Sequence, residues 1–308
     1  MEFTRMKRRN FLWTGCLAGM TASGLFGSSM CRAIDPIERS ATSRLRISLA
    51  AYSLRKYLQP AGDKPAEMDL FEFVDFCHEH QLAGTELTSY YFPTEVDDSY
   101  LLKLKRHCHL RGVSVSGGAI RNDFTQLDPL AVARDLAHTR QWIGHYAKLG
   151  APAIRIFAGN PVAGDEPSQT LTRCAQICQL ACRDAAEQGV MLALENHGGV
   201  TARAEGLLEI VRQVESPAFG INFDSGNFHL SDDPYQELEM IAPYAVNAQI
   251  KVEMRVGDTT QPTDLARVMK ILRQANYSGW VALEYEADDD PLQAIPAYLK
   301  QLKELADG

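Results

Sequence analysis

Four residues with the means to do chemistry close, or nearly close, four successive short apolar segments. They are Glu195 in VMLALE, Asp224 in FGINFD, Gln249 in VNAQIK and Glu284 in WVALEY. Each segment alternates, and alternation in a strand sends neighbours to opposite faces. Leu192 and Leu194, Ile221 and Phe223, Val246, Ala248 and Ile250, and Val281 and Leu283 take one face. The opposite face carries small and polar residues and ends in an acid or amide. Three carboxylates converging at one depth repel one another and rise in pKa. A divalent cation removes that conflict. An oxygen-rich donor set without thiolate or evident imidazole suits Mn²⁺ or Mg²⁺ better than Zn²⁺. One such ion is therefore the expected cofactor, held by Glu195, Asp224, Gln249 and Glu284. Glu195 and Glu284 are then an acid/base pair for moving a proton beside a polarised carbonyl.

The elements that must position these residues repeat along the chain. Apolar segments at 46–52, 83–88, 113–117, 153–158, 190–195, 219–224, 246–251 and 280–285 read as strands. Amphipathic stretches follow at 67–81, 97–111, 129–148, 168–188, 202–215, 234–242, 263–275 and 291–306. Strand–helix alternation implies parallel pairing, and eight such units match a single α/β (β/α)₈ TIM barrel, whose active sites form at the C-terminal strand ends. A doubly wound sheet is the alternative, but no Gly-rich dinucleotide fingerprint follows the first strand. The same inward parity picks out Lys251, Glu86, Tyr52 and Arg155; the first three are candidate substrate contacts, and Arg155 and Glu86 are expected to pair. His197, two residues past Glu195, is placed to contact substrate or protonate a leaving oxygen. Tyr90-Tyr91-Phe92 reads as an apolar wall, and Trp142 as core.

At LENHGG (194–199), NFDSGN (222–227), AQIKVEMR (248–255) and GWVALEYE (279–286) the chain resembles the xylose isomerase-like TIM-barrel superfamily. The resemblance implies metal-dependent sugar isomerase, epimerase or lyase chemistry. Ketose 3-epimerases of this group hold one divalent ion with Glu, Asp, His and Glu, which map to Glu195, Asp224, Gln249 and Glu284. Gln249 therefore departs from the His, as some dehydroshikimate dehydratases of the superfamily do. Asn227, a candidate substrate contact, replaces a His three residues after the Asp, and Arg255 falls where epimerases place an arginine on substrate. The expected reaction is isomerisation or epimerisation of a keto-sugar through an enediolate. The alternatives are a carbon–oxygen lyase on the same site and a non-catalytic sugar binder.

Composition narrows the partners. The 308 residues carry a formal charge of −8 at pH 7, which disfavours nucleic acid and anionic membranes. A superfamily endonuclease needs a His-rich cluster, yet only His197 and His229 fall near strand ends. The expected partner is a small carbohydrate, with a homo-oligomer allowed. Lys7-Arg8-Arg9-Asn10-Phe11-Leu12 precedes an uncharged run over 11–30, the layout of a twin-arginine export leader. We therefore expect a signal over 1–33, a linker over 34–44, the barrel over 45–308, and a periplasmic location in which the membrane is met only through that signal. Cys174, Cys178 and Cys182 recur every four residues, a helical core stripe rather than a disulfide framework.

Overall fold

The structure, a computed structural model, describes residues 35–40, 42–62, 64–257 and 259–308. The expected leader over 1–33 lies outside the described residues. In chain order the barrel strands are β1 (Leu45–Ala50), β2 (Gly84–Thr88), β3 (Ser114–Ala119), β4 (Ala153–Ile156), β5 (Met191–Glu195), β6 (Phe219–Asp224) and β7 (Ala245–Ile250). A small hairpin follows, of β8 (Glu253–Val256) and β9 (Thr259–Pro262), and then the closing strand β10 (Gly279–Leu283). All barrel pairs are parallel, and β1 bonds to both β2 and β10, so the sheet closes on itself. This is the expected single (β/α)₈ barrel; the β1–β10 pairing excludes an open doubly wound sheet.

One helical turn, α1 (Arg55–Leu58), follows β1. The helices around the barrel are α2 (Leu70–Glu79), α3 (Asp98–Leu110), α4 (Pro129–Leu149), α5 (Pro167–Gln188), α6 (Ala204–Gln213), α7 (Pro234–Ile241), α8 (Leu265–Gln274) and α9 (Pro291–Asp307). Much of the acidic surplus starts helices. Asp69, Asp97, Asp128, Asp233, Asp264 and Asp290 each accept a backbone N–H of the first turn. Such caps satisfy orphan donors and oppose the helix dipole. In three of them proline follows at once, with its φ already helical.

The apolar parity faces lie where expected. Leu192, Leu194, Ile221, Phe223, Val281 and Leu283 are buried between sheet and helices. Cys174, Cys178 and Cys182 are free thiols on the buried face of α5, and Trp142 packs on Phe92 and Tyr146. Ile37 and Arg44 lie beside the starts of β7 and β10: Ile37 N–H donates to Pro243 O, and Gly279 N–H to Arg44 O. The β8–β9 hairpin is an addition to the eight expected units. Its outer strand is exposed throughout and carries no apolar alternation, so no residue pattern marks it.

Candidate active site

The barrel interior holds two polar layers. In the lower one Asn247 Nδ2 donates to Glu86 Oε2 and to Asn222 Oδ1, both at 2.8 Å. Asn222 Nδ2 in turn donates to Gln249 Oε1, and Gln249 Nε2 to Glu86 Oε1, both at 2.5 Å. Gly117 makes room, since a Cβ there would stand 3.3 Å from Glu86 Oε2. Burial raises the Glu86 pKa while its two amide donors oppose the rise. This ring closes on itself.

The upper layer, at the strand ends, is built differently. Glu195 leaves β5, Asp224 ends β6, Lys251 follows β7 and Glu284 follows β10. Lys251 Nζ lies 3.6 Å from Asp224 Oδ2, 3.8 Å from Glu284 Oε2 and 2.5 Å from Glu286 Oε2. It donates to Asn227 Oδ1 at 2.9 Å, while Asn227 Nδ2 donates to Glu195 Oε1 at 2.8 Å. Arg155, from β4, pairs with Glu195 through Nε and Oε2 at 2.9 Å and lies over the Phe157 ring. Burial pushes Glu195 and Glu284 up to about 8 against the pull of Arg155 and Lys251 respectively, and Asp224 up to about 7 against Lys251. Burial alone would lower Lys251, but Asp224, Glu284 and Glu286 more than offset it and keep the ammonium charged.

Two openings reach this layer. A cleft of about 980 Å³ is lined by Tyr52, Tyr90, Arg155, His197, Lys251 and Glu284, among others. A second, of about 480 Å³, lies toward the hairpin beside Asn227, His229, Lys251, Arg255 and Glu286. His197 belongs to both walls and leans on the Phe157 ring at 4.1 Å. Desolvation, with Arg155 and Lys251 nearby, lowers its pKa to about 4, leaving a neutral imidazole at pH 7.

Of the residues singled out from sequence, Glu195, Asp224, Glu284 and Lys251 meet in one layer. Tyr52 and His197 line the large cleft, while Arg255 sits on β8 beside the smaller one. Three expectations change. Arg155 pairs with Glu195, not Glu86. Glu86, expected to bind substrate, is fully buried and lines neither cleft, because Asn247 and Gln249 take its oxygens. Asn227 lines the smaller cleft, but its amide is spent on Glu195 and Lys251, so it orients those two side chains. Glu286 and Asn196 went unnoticed in the sequence. Glu286 shares the parity of Glu284, which was signal enough. Asn196 clamps the β6 end through Asp224 N–H and C=O, a backbone role that no residue pattern announces.

The expected divalent ion can be tested against this geometry. Asp224 Oδ2 and Glu195 Oε2 are buried and accept no hydrogen bond, which suits a cation. The arrangement around them does not. Both ends of the Gln249 amide are engaged one layer below, and the residue lines neither cleft. Asp224 is sealed from both clefts, with the Lys251 ammonium between it and Glu284. Among the described residues no three His, Cys, Asp or Glu side chains stand in metal-holding geometry. The four residues as arranged do not fit the four-ligand site.

A closed barrel with acids at its C-terminal strand ends defines the class of (β/α)₈ barrels, whose active sites form at that face. Residues 66–305 match the family model described as xylose isomerase-like TIM barrel, and the chain belongs to that family. Among solved structures, it is similar to a xylose isomerase domain protein from Planctomyces limnophilus (18% identity, TM-score 0.63, 85% of this chain and 96% of that one). It is also similar to the IOLI protein, whose structure holds a zinc atom (15%, TM-score 0.69, 84% and 96%). A third is the 3-keto-D-glucoside 4-epimerase YcjR from E. coli (13%, TM-score 0.67, 85% and 100%). At these identities the likeness shows the fold. Among curated proteins none matches the chain.

Proposed function

We propose that the chain is a carbohydrate isomerase or epimerase that enolises an α-hydroxy carbonyl compound between Glu195 and Glu284. The observation that carries this reading is the pair itself: two carboxyl groups on the wall of one cleft, both pushed to about 8, so that near neutral pH each passes readily between acid and base. One takes the proton from the carbon beside the carbonyl, and the other returns a proton to the opposite face or to the neighbouring carbon. Asn227 and Arg155 hold Glu195 in place from two sides. His197, neutral and on the wall, is placed to hydrogen-bond a substrate hydroxyl, and Tyr52 and Tyr90 stand on the same wall.

Similarity to a 3-keto-D-glucoside epimerase and to a D-psicose 3-epimerase supports a keto-sugar as substrate. The test is incubation with D-psicose, D-tagatose and a 3-keto-D-glucoside in D₂O, read by mass and NMR. Deuterium incorporation without change of formula is the expected outcome. Loss of water or alcohol instead makes the protein a lyase, and no exchange with any of the three removes the enolisation reading.

A second reading adds a divalent ion, Mn²⁺ or Mg²⁺, and one observation favours it: four carboxylates (Glu195, Asp224, Glu284 and Glu286) face the two cations Arg155 and Lys251. It requires the Lys251 ammonium to leave the space between Asp224 and Glu284. Export by a twin-arginine route remains part of the proposal and is tested by Arg8→Lys with Arg9→Lys, which should retain the protein in the cytoplasm.

A further inference from the structure

All four residues of the segment Asp224-Ser225-Gly226-Asn227 touch or face Lys251. Ser225 Oγ accepts the Lys251 backbone N–H at 2.8 Å. Gly226 leaves space for the lysine stem, because a Cβ there would stand 2.7 Å from Lys251 Cδ and 2.9 Å from its Cβ. Asn227 Oδ1 accepts a hydrogen bond from the ammonium at 2.9 Å, and Asp224 Oδ2 faces it at 3.6 Å. Four consecutive residues thus serve the backbone, stem, donor and charge of one side chain. Glu284 and Glu286 complete the cage from the β10 side. The Lys251 side chain is only 12% exposed, yet it lines both clefts.

We propose that the Lys251 ammonium, rather than a divalent ion, is the resident cation of this site, placed to take the charge that enolisation puts on a substrate oxygen. In that step a carboxylate removes the proton beside the carbonyl. The C–H pair becomes the new C=C bond, and the carbonyl π pair moves onto oxygen. Lys251 donates a hydrogen bond to that oxygen and keeps its proton, and reprotonation at carbon restores the carbonyl. A preorganised donor in a water-poor site stabilises such an oxyanion without reorganisation. The catalytic half of the proposal rests on the enolisation reading. The occupancy half does not, because Lys251 holds the place whatever the substrate.

The full chain, dialysed against EDTA, is titrated with Mn²⁺ alone by calorimetry and by Mn²⁺ electron paramagnetic resonance. Wild type and Lys251→Arg should show no stoichiometric site below about 1 mM. Lys251→Met keeps the bulk of the stem and removes the charge; it should gain one site at least about 100-fold tighter, because unpaired buried carboxylates then seek another cation. Stoichiometric wild-type binding at about 10 μM or tighter overturns the proposal, as does a folded Lys251→Met that gains nothing. If Lys251→Met does not fold, the wild-type titration decides alone. In parallel, deuterium exchange on D-psicose by the EDTA-treated wild type should persist and fall at least about 100-fold in Lys251→Met. Exchange that returns only with Mn²⁺ overturns the catalytic half. No exchange at all counts against enolisation and leaves the Mn²⁺ titration to judge Lys251.

Discussion

The two polar layers inside the barrel use similar residues to opposite ends. In the lower layer a single acid, Glu86, meets amide donors from Asn247 and Gln249, and Asn222 closes the ring. In the upper layer four carboxylates, Glu195, Asp224, Glu284 and Glu286, face two cations, Arg155 and Lys251, and burial lifts the pKa values of the first three to about 7 or 8. A matched network in a low-dielectric interior rigidifies the structure, whereas a mismatched one stores electrostatic strain. The lower layer is therefore a floor and the upper layer the reactive surface that stands on it. Strain gathered at one level, with full satisfaction beneath, separates chemistry from structure more sharply than inward orientation does.

The largest effect should come from the upper layer. Glu284→Gln should lower deuterium exchange by about 10³-fold or more, since it removes one member of a general acid/base pair. Circular dichroism should stay native. Full exchange in that variant would leave the upper layer with no chemical role and end the contrast.

The lower layer should answer in stability. Asn247→Ala strips donors from both Glu86 and Asn222. Each buried acceptor left without a donor costs about 1–3 kcal/mol, so a loss of about 3 kcal/mol in urea unfolding is expected. Stability unchanged within about 0.5 kcal/mol, the range of an ordinary surface substitution, would mean that the ring is no floor.

A third effect is smaller and separates the layers by pH. Glu195, Asp224 and Glu284 have folded pKa values above their unfolded ones. From about pH 4 to about pH 8 the folded state therefore binds more protons, and stability falls as pH rises. The melting temperature at pH 8.5 should lie at least about 4 °C below that at pH 5.5, the equivalent of about 1–2 kcal/mol. Asp224→Asn should flatten that slope. A flat wild-type profile would mean that the upper layer is already neutralised, which is the signature of an additional bound cation.

The layers themselves were legible from parity, because alternation along a strand survives any tertiary detail. The β/α rhythm likewise foretold a closed barrel, and the apolar strand faces its outer packing. Which inward residue meets which was not legible. The ladder shifts between Thr85 and Glu86 in the β2–β3 pair, and between Ile221 and Asn222 in the β6–β7 pair. Such irregularities set the height of each side chain, and height decides that Arg155 reaches Glu195 while Gln249 drops to Glu86. No residue type records a register shift. The cradle around Lys251 was equally hidden: Ser225 and Gly226 matter through a backbone N–H and an absent Cβ, and only coordinates reveal those.

The hairpin tests how far the upper layer extends. Arg255 stands on β8, exposed, with its Nε donating to Gly257 O in its own turn, and it reaches the smaller cleft from outside the barrel. Arg255→Ala should leave unfolding stability within about 0.5 kcal/mol, as surface substitutions usually do. Its place beside the cleft still gives it a hand in holding substrate, so KM for exchange should rise, by up to about tenfold, with kcat nearly unchanged. That split marks binding made equally in ground and transition states. A fall in kcat comparable to that of Glu284→Gln would carry the reactive surface past Lys251 onto the hairpin. The boundary between floor and surface would then be set by the loops above β7 as well as by the strand ends.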